Sequence, residues 1–185
     1  MAASVVLLRG INLGPKNRLP MPALRAELVE AGFKKVRTYV QSGNIVLETT
    51  MDEEQLSGAV QRLIADRFGL QVAVLARGVE ELERVVAENP FPELAAQAPK
   101  RFQVTFLRGV TRPGLGESLL EVAAPAERVE VRAREIYAWH PDGVARSKLW
   151  AKLGASGGLG KGVQATSRNW TTVTTLLEMA QSDAG

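Results

Sequence analysis

Hydrophobic residues in this chain come in short runs parted by polar turns, and helical and strand periodicities alternate along it. "SVVLLRG" (residues 4–10) is a short apolar run ended by glycine, the pattern of a buried strand. "PMPALRAELVEAG" carries Met21, Leu24, Leu28 and Val29 at helical spacing, with proline near its start and Gly32 at its end. "KVRTYVQSGNIVLET" reads as two β-rich runs, Val36 to Gln41 and Asn44 to Thr49, split by Ser42-Gly43. That is a hairpin signal, and it puts Arg37, Tyr39 and Gln41 on one strand face. "DEEQLSGAVQRLIADRFG" predicts a second helix, with Asp52 as N-cap and Leu56, Val60, Leu63 and Ile64 on one face. "LQVAVLAR" predicts a fourth strand. The order β-α-β-β-α-β is the split βαβ unit of ferredoxin-like folds.

The order then recurs. "GVEELERVVAEN" predicts a linking helix, closed by "PFP". "RFQVTFLRG" predicts a strand ending, like the first, in Leu-Arg-Gly. "LGESLLEVA" and "RSKLWAKL" read as helices, "ERVEVRAREIYAWHP" as a tight strand pair, "GVQATS" as a short strand and "NWTTVTTLLEMA" as a terminal helix. The pattern therefore predicts an α+β chain of two tandem ferredoxin-like (α/β-plait, βαββαβ) units packed together, with a linking helix and a C-terminal helix. The expected boundaries are 1–77 for the first unit, 78–100 for the linking helix and proline-rich turn, and 101–185 for the second unit. A single large α+β sheet is the alternative. "VVLL" is apolar on both strand faces, so the first sheet should be covered on both sides.

Composition adds little to this until charge is placed along the chain. With 185 residues and 45% hydrophobic content, the chain suits one large domain or two small ones. It has no cysteine, which removes disulfides, thiolate metal sites and thiol nucleophiles. The absence of a membrane-length apolar run or a secretory signal pattern makes a cytoplasmic protein, off the membrane, the expectation. Net charge is only +3, but residues 1–26 carry Arg9, Lys16, Arg18 and Arg25 with no acid. Residues 143–177 carry Arg146, Lys148, Lys152, Lys161 and Arg168, again with no acid. If the two segments meet, they form one basic face.

The split βαβ topology suggests where a ligand would sit. Strands 1 and 3 are antiparallel neighbours, so the loop "GINLGPKNR" and the turn "QSGN" leave the sheet at the same end. Arg9, Asn12, Lys16, Asn17 and Arg18 then stand beside Gln41, Ser42 and Asn44. Arg9, ending a buried strand, should have its stem fixed by packing. Gly10, Gly14 and Gly43 permit positive φ and close backbone approach. This donor-rich cluster lacks carboxylates and suits an anion or nucleic-acid phosphates. Turn chemistry alone would also explain these residues.

"LLRGINLGPKNRLPM", "TYVQSGNIVLET" and "TSRNWTTVTTLLEMA" closely resemble the bacterial 1697 family of domains of unknown function, over nearly the whole chain. The resemblance implies two α/β-plait units and no established activity, substrate or cofactor. Pro15 stands where a second glycine is usual in that family, which stiffens the loop.

The second acid-free segment holds "GASGGLGKG", which fails as a phosphate-binding P-loop because Ala155 and Gly162 occupy motif positions and the loop follows a helix. A flexible glycine-rich loop carrying Lys161 is the better description. Ser167 or Asn169 is placed to cap the last helix, whose N-terminus, with Lys161 and Arg168 nearby, forms a second candidate anion site. Trp170 suits a core anchor or a base-stacking platform, the anchor being favoured because a Trp opening an amphipathic helix usually packs, and the Thr171, Thr172, Thr174, Thr175 run reads as a solvated face. His140, the sole histidine, sits in the turn sequence "WHPDG" and reads as structural or exposed. No His/Asp/Glu spacing suggests a metal, and no cofactor is implied. The apolar strands "SVVLL" and "NIVLE" carry no aromatics on which bases could stack.

The leading expectation is therefore binding of a phosphate-bearing small molecule, nucleotide or nucleic-acid backbone at the basic loop face. The alternatives are an enzyme acting on a phosphorylated or carboxylated metabolite, with Arg9 and Asn12 as oxyanion donors, or an interaction protein for an acidic partner.

Overall fold

A computed structural model of the chain describes residues 1–155 and 157–182. These residues form two compact units. One comprises Met1–Arg84 with the described part of Thr174–Gly185, the other Val85–Val173. Each unit contains one four-stranded antiparallel sheet in ferredoxin-like order, so the duplication expected from the sequence is the architecture observed.

The first unit runs β1 (Ala2–Leu8), α1 (Met21–Glu30), β2 (Lys34–Tyr39), β3 (Asn44–Thr49), α2 (Glu53–Phe68) and β4 (Val74–Gly78), with sheet order β2-β3-β1-β4. Val6, Leu8, Ile45, Leu47 and Val74 pack with Leu24 and Leu28 of α1 and with Val60 and Ile64 of α2. Val5, Leu7 and Val46, on the opposite strand face, are equally buried, as the double-sided apolarity of "VVLL" requires. Both helices stop where the chain tells them to. Gly32, at φ 93°, closes α1, with Phe33 N–H returning to Leu28 O at 3.1 Å. Asp52 and Gln55 form a reciprocal capping box at the start of α2, and left-handed Gly69 ends it. Arg37 donates to Met179 O and Ser182 Oγ, so the chain's last described turn also belongs to this unit.

The hairpin departs from expectation. It is not a two-residue turn at Ser42-Gly43: β2 stops at Tyr39, and residues 40–43 form the turn. The alternation predicted for 36–41 therefore holds only as far as Tyr39. Val40 takes φ 51°, which ends the strand two residues early. Lys35, at φ 49°, forms a bulge, and the pairing shifts between Lys34↔Glu48 and Arg37↔Val46.

The second unit contains α4 (Pro92–Gln97), β5 (Phe102–Arg108), α5 (Leu115–Leu120), β6 (Arg128–Val131), β7 (Glu135–Trp139), α6 (Lys148–Gly154) and β8 (Gln164–Asn169), with sheet order β6-β7-β5-β8. Leu107, Leu115, Leu119, Ile136, Leu149 and Leu153 form its core. Two further helices, α3 (Val79–Ala87) and α7 (Trp170–Gln181), begin in one unit and end in the other along the chain. The short helix α4 lies where only a proline-rich turn was expected, because Pro92 sits in its first turn, where its missing N–H costs nothing. The threonine run of α7 is half-buried, which corrects the solvated face expected there.

The tightest backbone approach in the first unit generates a test. A Cβ on Gly43 would lie 2.6 Å from Leu8 Cβ, at a φ of 80°. Gly43→Ala should therefore cost about 2–4 kcal/mol, from overpacking and left-handed strain together. Gly10→Ala, at φ 66° with nothing within 4 Å of the added carbon, should show the strain alone, about 1 kcal/mol. Urea unfolding midpoints of the two variants measure the difference.

Candidate functional site

The antiparallel pairing of β1 with β3 brings the loop after β1 onto the β2–β3 turn. Leu8 N–H donates to Gly43 O at 2.8 Å. Asn12, itself left-handed at φ 55°, then joins three segments. Its amide nitrogen donates to Leu19 O at 2.9 Å and Gln41 O at 2.7 Å, and its carbonyl accepts from Leu19 N–H at 2.8 Å. Its backbone N–H meets Asn17 O at 3.0 Å. Asn17 is also left-handed, whereas Gly14 does not use the positive φ expected of it. Asn44 is completely buried, and its amide donates to Tyr39 O at 3.1 Å and Ser42 Oγ at 3.0 Å. The expected juxtaposition of loop and turn is present, but Asn12 and Asn44 spend their donors inside it.

The cations point the other way. Arg9, Lys16 and Arg18 are exposed, and among the described residues no carboxylate pairs with them. Arg9 does not have the packed stem expected of it. The last buried residue of the strand is Leu8, and left-handed Gly10 turns the chain away just beyond. Glu48, on the neighbouring strand β3, pairs with Lys35 at 2.9 Å. Gln41 is exposed and Ser42 half-buried. Two aliphatic side chains stand out beside these cations: Leu13 is 81% exposed and Val40 51%. A β-branched residue in the left-handed region costs about 1–2 kcal/mol, so Val40 is held there by its surroundings.

In the second unit the predicted residues separate. Lys161 is exposed. Arg168 is buried, donating to Thr166 Oγ1 at 2.7 Å and Ser167 O at 2.8 Å, and burial pulls its pKa down to about 10. Asn169 Oδ1 accepts from Thr172 N–H at 2.9 Å, which makes it the cap of α7. Trp170 packs edge-on against Phe102 with ring centres 5.5 Å apart, the anchor role expected. In the glycine-rich loop, Gly158 O accepts from Arg112 Nε at 3.0 Å and Leu159 O from the Arg112 backbone N–H at 2.9 Å. Gly160 lies so close that a Cβ would be 3.0 Å from Arg112 N.

A second polar arrangement had no sequence signal. Of the two readings of His140, structural or exposed, the first fits: it is fully buried, and its Nδ1 lies 2.7 Å from Glu127 Oε1. Ser147 Oγ donates to the same oxygen at 2.5 Å, and Ala124 N–H donates to Oε2 at 2.8 Å. The ring of Trp150 stands edge-on to the imidazole, 5.7 Å away. A cavity of about 960 Å³ opens beside this network, lined by Glu121, Glu127, Asp142, Arg146, Ser147 and Lys148 among others. Burial pushes the Glu127 carboxyl up, but hydrogen bonds from Ser147, His140 and Ala124, with the charge of His140, outweigh it and hold its pKa below the ordinary value. Ser147 Oγ also accepts from Trp150 N–H at 2.9 Å, so its hydroxyl is spent on holding structure and not free as a nucleophile. Separations of 13 residues (Glu127 to His140) and 20 (Glu127 to Ser147) match no readable spacing. Among the described residues, no cluster of three or more His, Cys, Asp or Glu could hold a metal ion, and no helix is long and apolar enough to cross a membrane.

This network predicts an acid-limb dependence. A carboxyl with a lowered folded pKa contributes stability above its unfolded value, near 4.5, and loses it as pH falls through the folded value. Glu127→Gln should cost about 2 kcal/mol at neutral pH, the worth of charge-assisted hydrogen bonds in a buried site. The variant should also lose less stability than the parent as pH falls from neutral through the lowered folded value of this carboxyl, below 4.5. Thermal melts across that range check both expectations.

The chain matches, over residues 1–137, the family described as "Protein of unknown function (DUF1697)". Among solved structures it resembles the conserved bacterial protein SP0830 from Streptococcus pneumoniae, with a TM-score of 0.75 and 20% sequence identity. The likeness covers 97% of this chain and 98% of that one. At that identity it speaks for the fold alone. No curated protein matches. The matched span includes Met1–Arg84 of the first unit, with its loop end, and reaches through β5 and β6 into β7 of the second. The chain is therefore a member of the DUF1697 family.

Proposed function

We propose that the loop end of the first unit binds a phosphate-bearing polyanion, and that the backbone of a nucleic acid is the form best suited to it. The observation that carries this reading is a set of three exposed cations, Arg9, Lys16 and Arg18, without carboxylate partners among the described residues, on a loop pinned by Asn12. A small anionic ligand is normally enclosed and met by converging neutral donors. Here the neutral donors of Asn12 and Asn44 face inward, and the charges stand in solvent. Such a surface gains affinity by releasing counterions from a row of phosphates, which needs neither enclosure nor base-specific contacts. The enzyme alternative draws less support, because Asn12, one of its two oxyanion donors, has both amide protons engaged.

The test is the salt dependence of binding. Fluorescence anisotropy with a labelled duplex of about 20 base pairs should give a log–log slope near −2.7 for three phosphate contacts. Arg9→Ala, Lys16→Ala and Arg18→Ala should each lower the magnitude of that slope by about 0.9, without preference for sequence. None should shift the melting temperature of the free protein, since all three side chains are exposed. Binding that ignores salt, or variants that leave the slope unchanged, would count against this surface.

A further inference from the structure

The same loop end carries two features that phosphate binding does not use. Leu13 and Val40 are both exposed aliphatic residues, at 81% and 51%. Single exposed aliphatics are ordinary. These two flank one staple: Leu13 follows Asn12, Val40 precedes Gln41, and Asn12 Nδ2 holds Gln41 O at 2.7 Å. The bonds from Asn12 to Leu19 stop the loop from folding its tip inward. Val40 keeps a left-handed backbone that asparagine adopts more easily, as Asn12 and Asn17 do in the same cluster. An apolar side chain is thus maintained at the tip against local conformational preference.

We infer that Leu13 and Val40 enter the minor groove of duplex DNA as an apolar wedge, while Arg9, Lys16 and Arg18 hold the flanking phosphates. The inference rests on the nucleic-acid reading above and specifies its mode. Charge complementarity selects the occupant: the flanks carry cations and Gln41, and residues 1–26 contain no carboxylate. The minor groove concentrates negative potential, and aliphatic wedges inserted there part base steps and bend the duplex. An anionic bilayer offers the same sign of charge. However, a whole myristoyl chain gives only marginal membrane binding, and a leucine with a valine buries far less.

The experiment uses the full chain and a duplex of about 20 base pairs carrying a donor and an acceptor dye at its ends. Wild-type protein should shorten the end-to-end distance on binding. The double variant Leu13→Ala/Val40→Asn retains a residue tolerant of the left-handed turn. It should abolish the shortening and weaken binding about tenfold, with the salt slope unchanged. Arg9→Ala should do the reverse, reducing the magnitude of the slope while the duplex still shortens at saturating protein. Wild-type binding without shortening, or a double variant indistinguishable from wild type, overturns the wedge and leaves the phosphate reading standing. Stronger binding to phosphatidylserine-rich vesicles than to duplex overturns the wedge in favour of a lipid surface. No binding to any nucleic acid overturns both.

Discussion

The loop end of the first unit depends on one close approach, the backbone of Gly43 against the side chain of Leu8. No Cβ fits there, and the contact locks the β1–β3 register with Leu7 opposite Asn44. That register carries Asn44 into the core, where an unsatisfied amide would be costly, so its donors close the turn through Tyr39 O and Ser42 Oγ. The closed turn puts Val40 in the left-handed region and leaves Gln41 O within reach of Asn12. Asn12 then fixes the first loop at Leu19 as well. One missing methyl group thus propagates from the β2–β3 turn to the Asn12 staple of the first loop.

The same chain of constraints decides which polar groups remain available. Amides suit a staple because each offers a donor and an acceptor in one plane, and here the staples consume them. Arginine and lysine cannot accept hydrogen bonds, and burying them without an acid is expensive, so Arg9, Lys16 and Arg18 stay outside. The second unit repeats the topology and uses its arginines differently. Leu107-Arg108-Gly109 ends β5 as Leu8-Arg9-Gly10 ends β1, with positive φ at both glycines. Yet Arg108 reaches Gln164 Oε1 at 3.5 Å, Arg112 staples the glycine-rich loop, and Arg168 is buried among hydroxyl and carbonyl oxygens. Within this unit, guanidinium groups do work that Asn12 and Asn44 do in the first.

Much of the fold was legible in the sequence because it rests on short-range rules. Strand runs, helix periodicity, Asp52 before α2 and Gly32 after α1 each act within a few residues, and the duplicated order follows from reading them twice. The juxtaposition of the "GINLGPKNR" loop with "QSGN" was legible too, since topology alone dictates it. Side-chain direction was not. Whether Asn12 faces a ligand or Leu19 O depends on the loop's exact path, and Arg9 looked packed only because β1 was expected to run one residue further. The Glu127–His140–Ser147 network was invisible for a different reason. Its members come from the start of β6, the end of β7 and the cap of α6, and nothing local distinguishes them from a turn histidine, a surface glutamate and a helix cap.

These two polar centres respond to different variables. In the second unit the Glu127 carboxyl is held ionised by Ser147, His140 and Ala124, so its contribution to stability disappears on acidification. In the first unit, the segment bearing Arg9, Lys16 and Arg18 has neither histidine nor carboxylate. The field of its charges is screened over about 8 Å at physiological ionic strength, so salt rather than pH governs it. The Asn12 staple fixes this loop during folding, in the sense that one amide ties three backbone segments together. So polar a loop turns its amides inward because they hold the backbone that carries the exposed cations and the two aliphatic residues at the tip.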